Sequence, residues 1–445
     1  MTALADGLLR QGYGVRILEL QGVAPGQSTF KDEMTALGVP VHHASEFAPP
    51  PAESRDYGNS LPLDAFASIL PPDAADLAGK VAEAIRRLRP GVVHCWSDFS
   101  NVVGGFVAAR LAVPRIILGL RVMPPPFWYP ADQAELYRTA YQLLAADSAA
   151  VFVSNSRVSA RAYEDWLPLR RGSVRVVYNG FLASGIRIRG RTARAECRMA
   201  LGLPEHGPVI AAVMRLAEEK DPDLWLDTAA AIAAARPDAT FIIAGYGHEG
   251  AVENLSRRTV ELGLAGRVLT PGATNDVGEV YGAGDLLLLT SRTENVPNVM
   301  IEAQAAGIPV VGPNVGGISE AMLHGVTGLL VRERSAQGLA AAVLQIVNES
   351  RWADRVSQLG PKFVSDRFGH ERMVRETIAI YHHGAAAWLR LASWPRLAMA
   401  LWRGRADKAR VIRRSSARFE RMRRLGDAGL PNVEHQLKEI RQAAR

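Results

Sequence analysis

The chain has 445 residues, 48% of them apolar and 22% charged, with a net charge of +7. That length accommodates two ordinary α/β domains with sizeable cores, and the apolar fraction excludes a disordered chain. Two cysteines, Cys95 and Cys197, with no CxxC and no Cys/His cluster, exclude a disulfide framework and a zinc site, as in a reducing cytoplasm.

In chain order, short apolar strand signals recur with helical segments between them. In the first half they are Val15–Leu20, Val39–His43, Gly91–Trp96, Arg115–Leu120, Ala150–Asn155 and Val174–Asn179. In the second half they are Pro208–Val213, Thr240–Gly245, Arg267–Pro271, Asp285–Ser291, Ile308–Gly312 and Gly328–Val331. Continuous apolar runs bounded by turn residues suit parallel strands covered on both faces. Two doubly wound α/β domains follow from the alternation: an N-terminal one over 1–180 and a C-terminal one over 208–370. The breaker-rich stretch 181–207 reads as the linker, 371–384 as a crossover helix, and 385–445 as a basic helical tail.

Two stretches depart from the repeat. Phe47 to Pro72, rich in Pro, Asp and Ser, reads as a surface excursion. The start lacks the strand and Gly-rich turn that open a doubly wound domain. Leu4, Leu8 and Leu9 instead read as one face of the helix that normally follows them. The expectation is that the first strand is missing and that the start codon lies upstream.

The tail carries fifteen Lys and Arg against five Asp and Glu, so the rest of the chain is slightly acidic. No nucleic-acid partner is expected. Trp388, Trp394 and Trp402 beside Arg390, Arg396, Arg403 and Arg405 suit a helix on an anionic membrane face, or equally a solvated helix packed on the first domain. Neither a signal peptide nor a run of about 18 apolar residues is visible, so no spanning helix is expected.

The densest chemical signal is Thr290-Ser-Arg-Thr-Glu-Asn-Val-Pro-Asn-Val-Met-Ile-Glu302, followed by Gly316-Gly317. It places Glu294 in a loop after a strand and Glu302 about one turn into the next helix. A helix start holds an anionic diphosphate, and carboxylates accept hydrogen bonds from sugar or ribose hydroxyls. Taken singly, Glu294 would read as a cap and Glu302 as a solvated helix residue. The second signal is Val213-Met-Arg215-Leu-Ala-Glu-Glu-Lys220, two cations at a strand end that could neutralise a departing nucleoside diphosphate.

Arg215…Lys220, Gly245-Tyr-Gly247, Glu294…Glu302 and Gly316-Gly317, in this order and spacing, resemble the family-four retaining glycosyltransferases. Arg89-Pro-Gly-Val-Val-His94 and Val176-Val-Tyr-Asn-Gly180 match in place, so the resemblance runs from about Thr2 to Tyr381. The wording around Glu294 is most similar to bacterial capsule and exopolysaccharide members. The resemblance implies a GT-B fold, two Rossmann-like domains facing a cleft. It implies that Arg215 and Lys220 bind the donor diphosphate. Glu294 would contact the transferred sugar beside the backbone of Asn295 and Val296, and Glu302 would hold the ribose. Asn295 stands where many members have Gly. The activity implied is transfer, with retention, of a hexosyl or N-acetylhexosaminyl group from a nucleotide sugar to a glycan or lipid-linked acceptor.

Two further motifs are discounted. Gly245-Tyr-Gly-His-Glu-Gly250 has the GxGxxG spacing, but the next strand ends Val268-Leu-Thr-Pro271 without the carboxylate a dinucleotide site needs. Gly245 and Gly247 are read instead as allowing backbone approach to the donor phosphates. Asp221-Pro-Asp223 imitates a metal-binding pair but sits at a helix start, where Asp and Pro are ordinary caps, so no metal and no cofactor are expected. In the first domain His94 reads either as an acceptor-cleft residue or as a core histidine. Arg121 is a strand-end candidate for acceptor or diphosphate, and Asn155 and Ser156 could do either job. Two rivals stand beside this reading, a GT-B sugar-nucleotide epimerase and a non-catalytic homologue with a membrane-binding tail.

Overall fold

The computed structural model describes residues 1–20, 29–48, 72–182, 191–274, 276–349 and 351–382. They form two compact units, divided at Gly180/Phe181 and again at Gly369/His370. The basic tail lies outside the described residues, as does most of the excursion read over Phe47 to Pro72.

The second unit, 181–369, carries one parallel sheet. Its strands are β7 (Val209–Val213), β8 (Thr240–Ala244), β9 (Val268–Gly272), β10 (Leu286–Leu288), β11 (Val310–Pro313) and β12 (Gly328–Val331), in the order β12-β11-β10-β7-β8-β9. Both faces are covered, which is why these strands read as apolar runs. Ile210, Ala212, Leu286 and Leu288 point into a core with Trp225, Leu226 and Ile232 of α8 (Pro222–Ala235) and Leu339 and Val343 of α12 (Ala336–Val347). Val209, Ala211, Ile242 and Ala244 point the other way, toward Cys197, Val280 and Ala283. The strand order reverses between β7 and β10, and in open α/β sheets ligands bind at such a switch point, beyond the strands' carboxyl ends.

Part of the expected linker is helical. Residues Arg191–Ala200 form α7, which packs on α10 (Val277–Ala283) as part of the second unit. Cys197 enters the core, and the fully buried Arg198 pairs with Asp285 at 2.6 Å while donating to the carbonyls of Ala283, Glu205 and Gly207. A buried arginine saturated by backbone carbonyls looks polar in sequence, which is why the segment read as a linker.

The first unit comprises Met1–Gly180 and helix α14 (His370–His382). Its strands fall into two parallel sheets. One pairs β1 (Ile17–Glu19) with β2 (Val41–His43); the other has the order β3-β4-β5-β6, over Val92–Cys95, Arg115–Leu120, Ala150–Ser154 and Arg175–Val176. The sheets share both layers without sharing a ladder. Leu18 of β1 and Val93 of β3 pack against one core cluster, while Val15 and Val92 pack against another, which also holds Leu4 and Leu8 of α1 (Thr2–Arg10) and Met373 and Val374 of α14. No helix among the described residues is long and apolar enough to cross a membrane.

Candidate functional site

In the second unit the loop after β7 carries Arg215 and Lys220, and the loop after its neighbour β10 carries Glu294. The two loops are bonded to each other. Arg292 N donates to Glu219 O at 2.8 Å, and Thr290 Oγ1 donates to the carbonyls of Lys220 and Asp221 at 3.0 and 3.1 Å. Side chains 74 residues apart therefore meet: Lys220 Nζ lies 2.5 Å from Glu294 Oε1, and Ser291 Oγ donates to the same oxygen at 2.7 Å. Arg215 is exposed and pairs with Glu219.

The loop after β11 fixes the backbone of Glu294. Gly317 N donates to Glu294 O at 2.9 Å, and at Gly316, with φ +51°, a Cβ would stand 1.9 Å from that carbonyl oxygen. Only glycine fits there. The Gly245 loop is held in the same manner. Leu216 N donates to Tyr246 O at 2.7 Å, a Cβ on Gly245 would stand 1.7 Å from Met214 O, and one on Gly247 would stand 2.5 Å from the Cβ of Ala251. The demand for glycine at 245 and 247 comes from the packing of this strand-end loop on its neighbour, a reason independent of phosphate approach.

Glu302 sits on α11 (Asn298–Ala305), whose positive end lies just after the Glu294 loop. The buried Tyr281 donates its hydroxyl to Glu302 Oε2 at 2.7 Å. Burial raises the Glu302 carboxyl above the usual range, and the tyrosine bond opposes that rise. Val296 and Asn295 are both buried. Asp221 caps α8 through Leu224 N, adopts the left-handed conformation at φ 54°, and pairs with Arg292 and Arg334. Arg334 also donates to the carbonyls of Thr290 and Ser291, tying the β10 end to the Lys220 loop. The Asp221 carboxylate is thus engaged as a cap and an ion-pair partner. Among the described residues no group of three or more His, Cys, Asp and Glu is placed to hold a metal ion. Sequence reasoning missed Ser291, Tyr281 and Arg334, whose roles depend on partners from other parts of the chain.

The first unit brings His94 and Arg121 together at the carboxyl ends of β3 and β4. His94 stacks on Trp96 at 5.1 Å between ring centroids, and its Nδ1 lies 2.9 Å from the Tyr381 hydroxyl of α14. Burial, with the Arg121 charge behind it, lowers the His94 pKa to about 3, so the ring is neutral at neutral pH. The Arg121 guanidinium lies over the Trp96 ring at 4.4 Å and donates to Asn179 Oδ1 at 2.6 Å. Asn155 donates to the same Asn179 oxygen at 3.3 Å, while Ser156 caps α6 (Arg157–Trp166) through Ser159 N.

Two doubly wound units, one carrying paired cations and carboxylates at its switch point, define the class: a two-domain GT-B glycosyltransferase fold. Residues 1–181 match the model described as Glycosyltransferase Family 4, and residues 207–349 match the one described as Glycosyl transferases group 1. Each half of the chain thus matches a glycosyltransferase model, family four in the first and group 1 in the second. It is 32% identical over 63% of its length to the Vi polysaccharide biosynthesis protein VipC/TviE of Salmonella typhi, of which the match covers 48%. It is 31% identical over 65% of its length to a D-inositol 3-phosphate glycosyltransferase of Mycobacterium leprae, covering 66% of that protein. The chain thus spans about half to two thirds of the length of these curated relatives. Among solved structures, HepE of Anabaena, crystallised with UDP and glucose, superposes with a TM-score of 0.69 at 22% identity, covering 85% of this chain and 94% of that one. At that identity the likeness is one of fold.

Proposed function

We propose that this chain is a retaining, metal-independent glycosyltransferase that moves a hexosyl or N-acetylhexosaminyl group from a nucleotide sugar to a glycan or lipid-linked acceptor in surface polysaccharide or glycolipid assembly. Arg215 and Lys220 hold the donor diphosphate, Glu294 the transferred sugar, and Glu302 the ribose. The observation that carries the reading is the Lys220–Glu294 pair, 2.5 Å apart at the switch point of the sheet, which sets a phosphate-binding cation beside a hydroxyl-binding carboxylate.

As the bond from the anomeric carbon to the diphosphate breaks, charge grows on the leaving phosphate, and the two cations stabilise it. The acceptor oxygen attacks from the same face, its proton passes to a phosphate oxygen, and the configuration is retained. Glu294, already paired with Lys220, orients the sugar in this scheme and forms no covalent intermediate. No metal is required, because Arg215 and Lys220 supply the positive charge. The names of the Salmonella and Anabaena proteins support a polysaccharide product and a UDP-sugar donor. We place the enzyme in the cytoplasm, with the basic Trp-containing tail resting on the inner membrane face.

The test is thermal shift with a panel of UDP-, GDP- and ADP-sugars on this chain and on Glu302→Ala. A shift for one donor that vanishes in the variant supports the reading and identifies the donor. No shift with any donor would count against it, and donor turnover without an acceptor would instead mark an epimerase.

A further inference from the structure

Arg121 is half-buried as a residue but its guanidinium is buried; it lies over the Trp96 indole and makes no ion pair among the described residues. It donates a hydrogen bond to the neutral amide of Asn179. Leu4, Gly119, Val177 and Met373 close a small recess around it, together with His94 and Trp96. A buried cation without an anion is costly, and proteins ordinarily supply a carboxylate in such places. The titratable side chain lining the recess beside it is His94, which burial keeps neutral, and none of the lining side chains is a carboxylate, so the recess has net positive character. Burial lowers the guanidinium only to about 10, so it stays a cation at neutral pH.

The geometry around Arg121 is that of a prepared fork. The Trp96 ring backs it at 4.4 Å, and Asn179, itself engaged by Asn155, fixes one end. The remaining N–H groups suit a planar or tetrahedral oxyanion bound at two points. Resting on the glycosyltransferase reading above, and taking Arg121 as the acceptor contact that the sequence offers for it, we propose that the first unit takes the acceptor, that the acceptor is anionic, and that its carboxylate or phosphate binds Arg121. The donor's diphosphate does not need this residue, because Arg215 and Lys220 serve it on the other unit. His94 and Tyr381 then act as positioning residues, holding the indole on which the guanidinium lies.

The experiment uses the full chain with its donor site first filled by a saturating nucleoside diphosphate (UDP, GDP or ADP, as the donor panel directs). Glucose 1-phosphate, glucuronate and a polyprenyl phosphate in detergent micelles are titrated calorimetrically, with methyl glucoside as the neutral control. At least one anion should bind tenfold or more tightly than methyl glucoside. Arg121→Leu should abolish that margin, and Arg121→Lys should keep part of it, since it retains charge without the fork. The anion that responds tells a sugar phosphate, an acidic sugar and a lipid phosphate apart. Arg121→Gln, which keeps a donor for Asn179, carries the test if the leucine variant melts early. Anions that bind no better than methyl glucoside, or equally well to the Arg121 variants, overturn the inference. Failure of nucleotide binding itself would sink the functional reading; intact nucleotide binding without Arg121-dependent anion binding sinks only this one.

Discussion

The two units solve one problem differently. In the second, six strands share one ladder, and the loops leaving them are hydrogen-bonded backbone to backbone: Leu216 to Tyr246, Arg292 to Glu219, Gly317 to Glu294. In the first, the strands fall into two sheets, and the strand-end groups are held by side chains: Arg121 by Asn179 and Trp96, His94 by Tyr381. Backbone bonding at van der Waals limits demands glycine and tolerates nothing larger, whereas side-chain bracing can be trimmed and partly compensated. The second unit should therefore be brittle at its glycines, and the first should lose function in grades.

The sharpest way to break that contrast is Gly316→Val. Its Cβ would overlap Glu294 O, in a left-handed backbone that a β-branched residue avoids. Donor binding should fall below detection and stability should drop by about 3 kcal/mol, as read by calorimetry and thermal melts. Unchanged donor affinity would mean that this loop yields. Next, Lys220→Ala should lower turnover roughly 100- to 1,000-fold. A change confined to KM would show that Lys220 binds the ground state and does not stabilise departure of the diphosphate.

Glu302→Gln separates binding from stability. The raised carboxyl pKa means that the folded chain binds this proton more tightly than the unfolded one does, so ionisation costs stability as pH rises through the raised value. The amide keeps an acceptor for Tyr281 and removes the buried charge. Donor affinity should fall about tenfold, a loss of roughly 1.4 kcal/mol, while Tm at pH 8 rises by roughly 1–3 °C. A fall in Tm would mean that the charge is needed by the fold.

In the first unit, His94→Gln tests the side-chain bracing. The His94 pKa is lowered from 6.5 to about 3, so its stabilising effect is fully present above 6.5 and is lost as pH falls toward 3. The variant should melt with a shallower acid dependence over that window, at a modest cost at pH 8. Parallel acid profiles would show that His94 gains solvent when protonated. The smallest effect is expected at Asp223, an exposed residue in the first turn of α8. Asp223→Ala should stay within about 0.5 kcal/mol of the parent and keep full turnover in EDTA; loss of turnover there would revive a metal reading.

Each strand signal found in the sequence corresponds to a strand, within a few residues at the ends, because a strand buried on both faces must be a short apolar run between turn residues. The Glu294 string and the Arg215…Lys220 pair were legible for a similar reason: each lies within one strand-loop-helix segment, so its chemistry is local in sequence. Helix α7 was not legible, because its anchor is an arginine whose burial depends on Asp285 and on carbonyls contributed by other parts of the chain.

By itself, then, the sequence determined the two α/β units, the order of the strands along the chain and the residue types at the ends of β7 and β10. Tertiary structure alone decided which groups complete the sites. Tyr281 reaches Glu302, Arg334 reaches Asp221, and Asn179 and Tyr381 reach Arg121 and His94. Parallel strands are joined by crossovers, so residues that are neighbours at a sheet's carboxyl edge lie tens to hundreds of positions apart in the chain, and no local periodicity records their meeting.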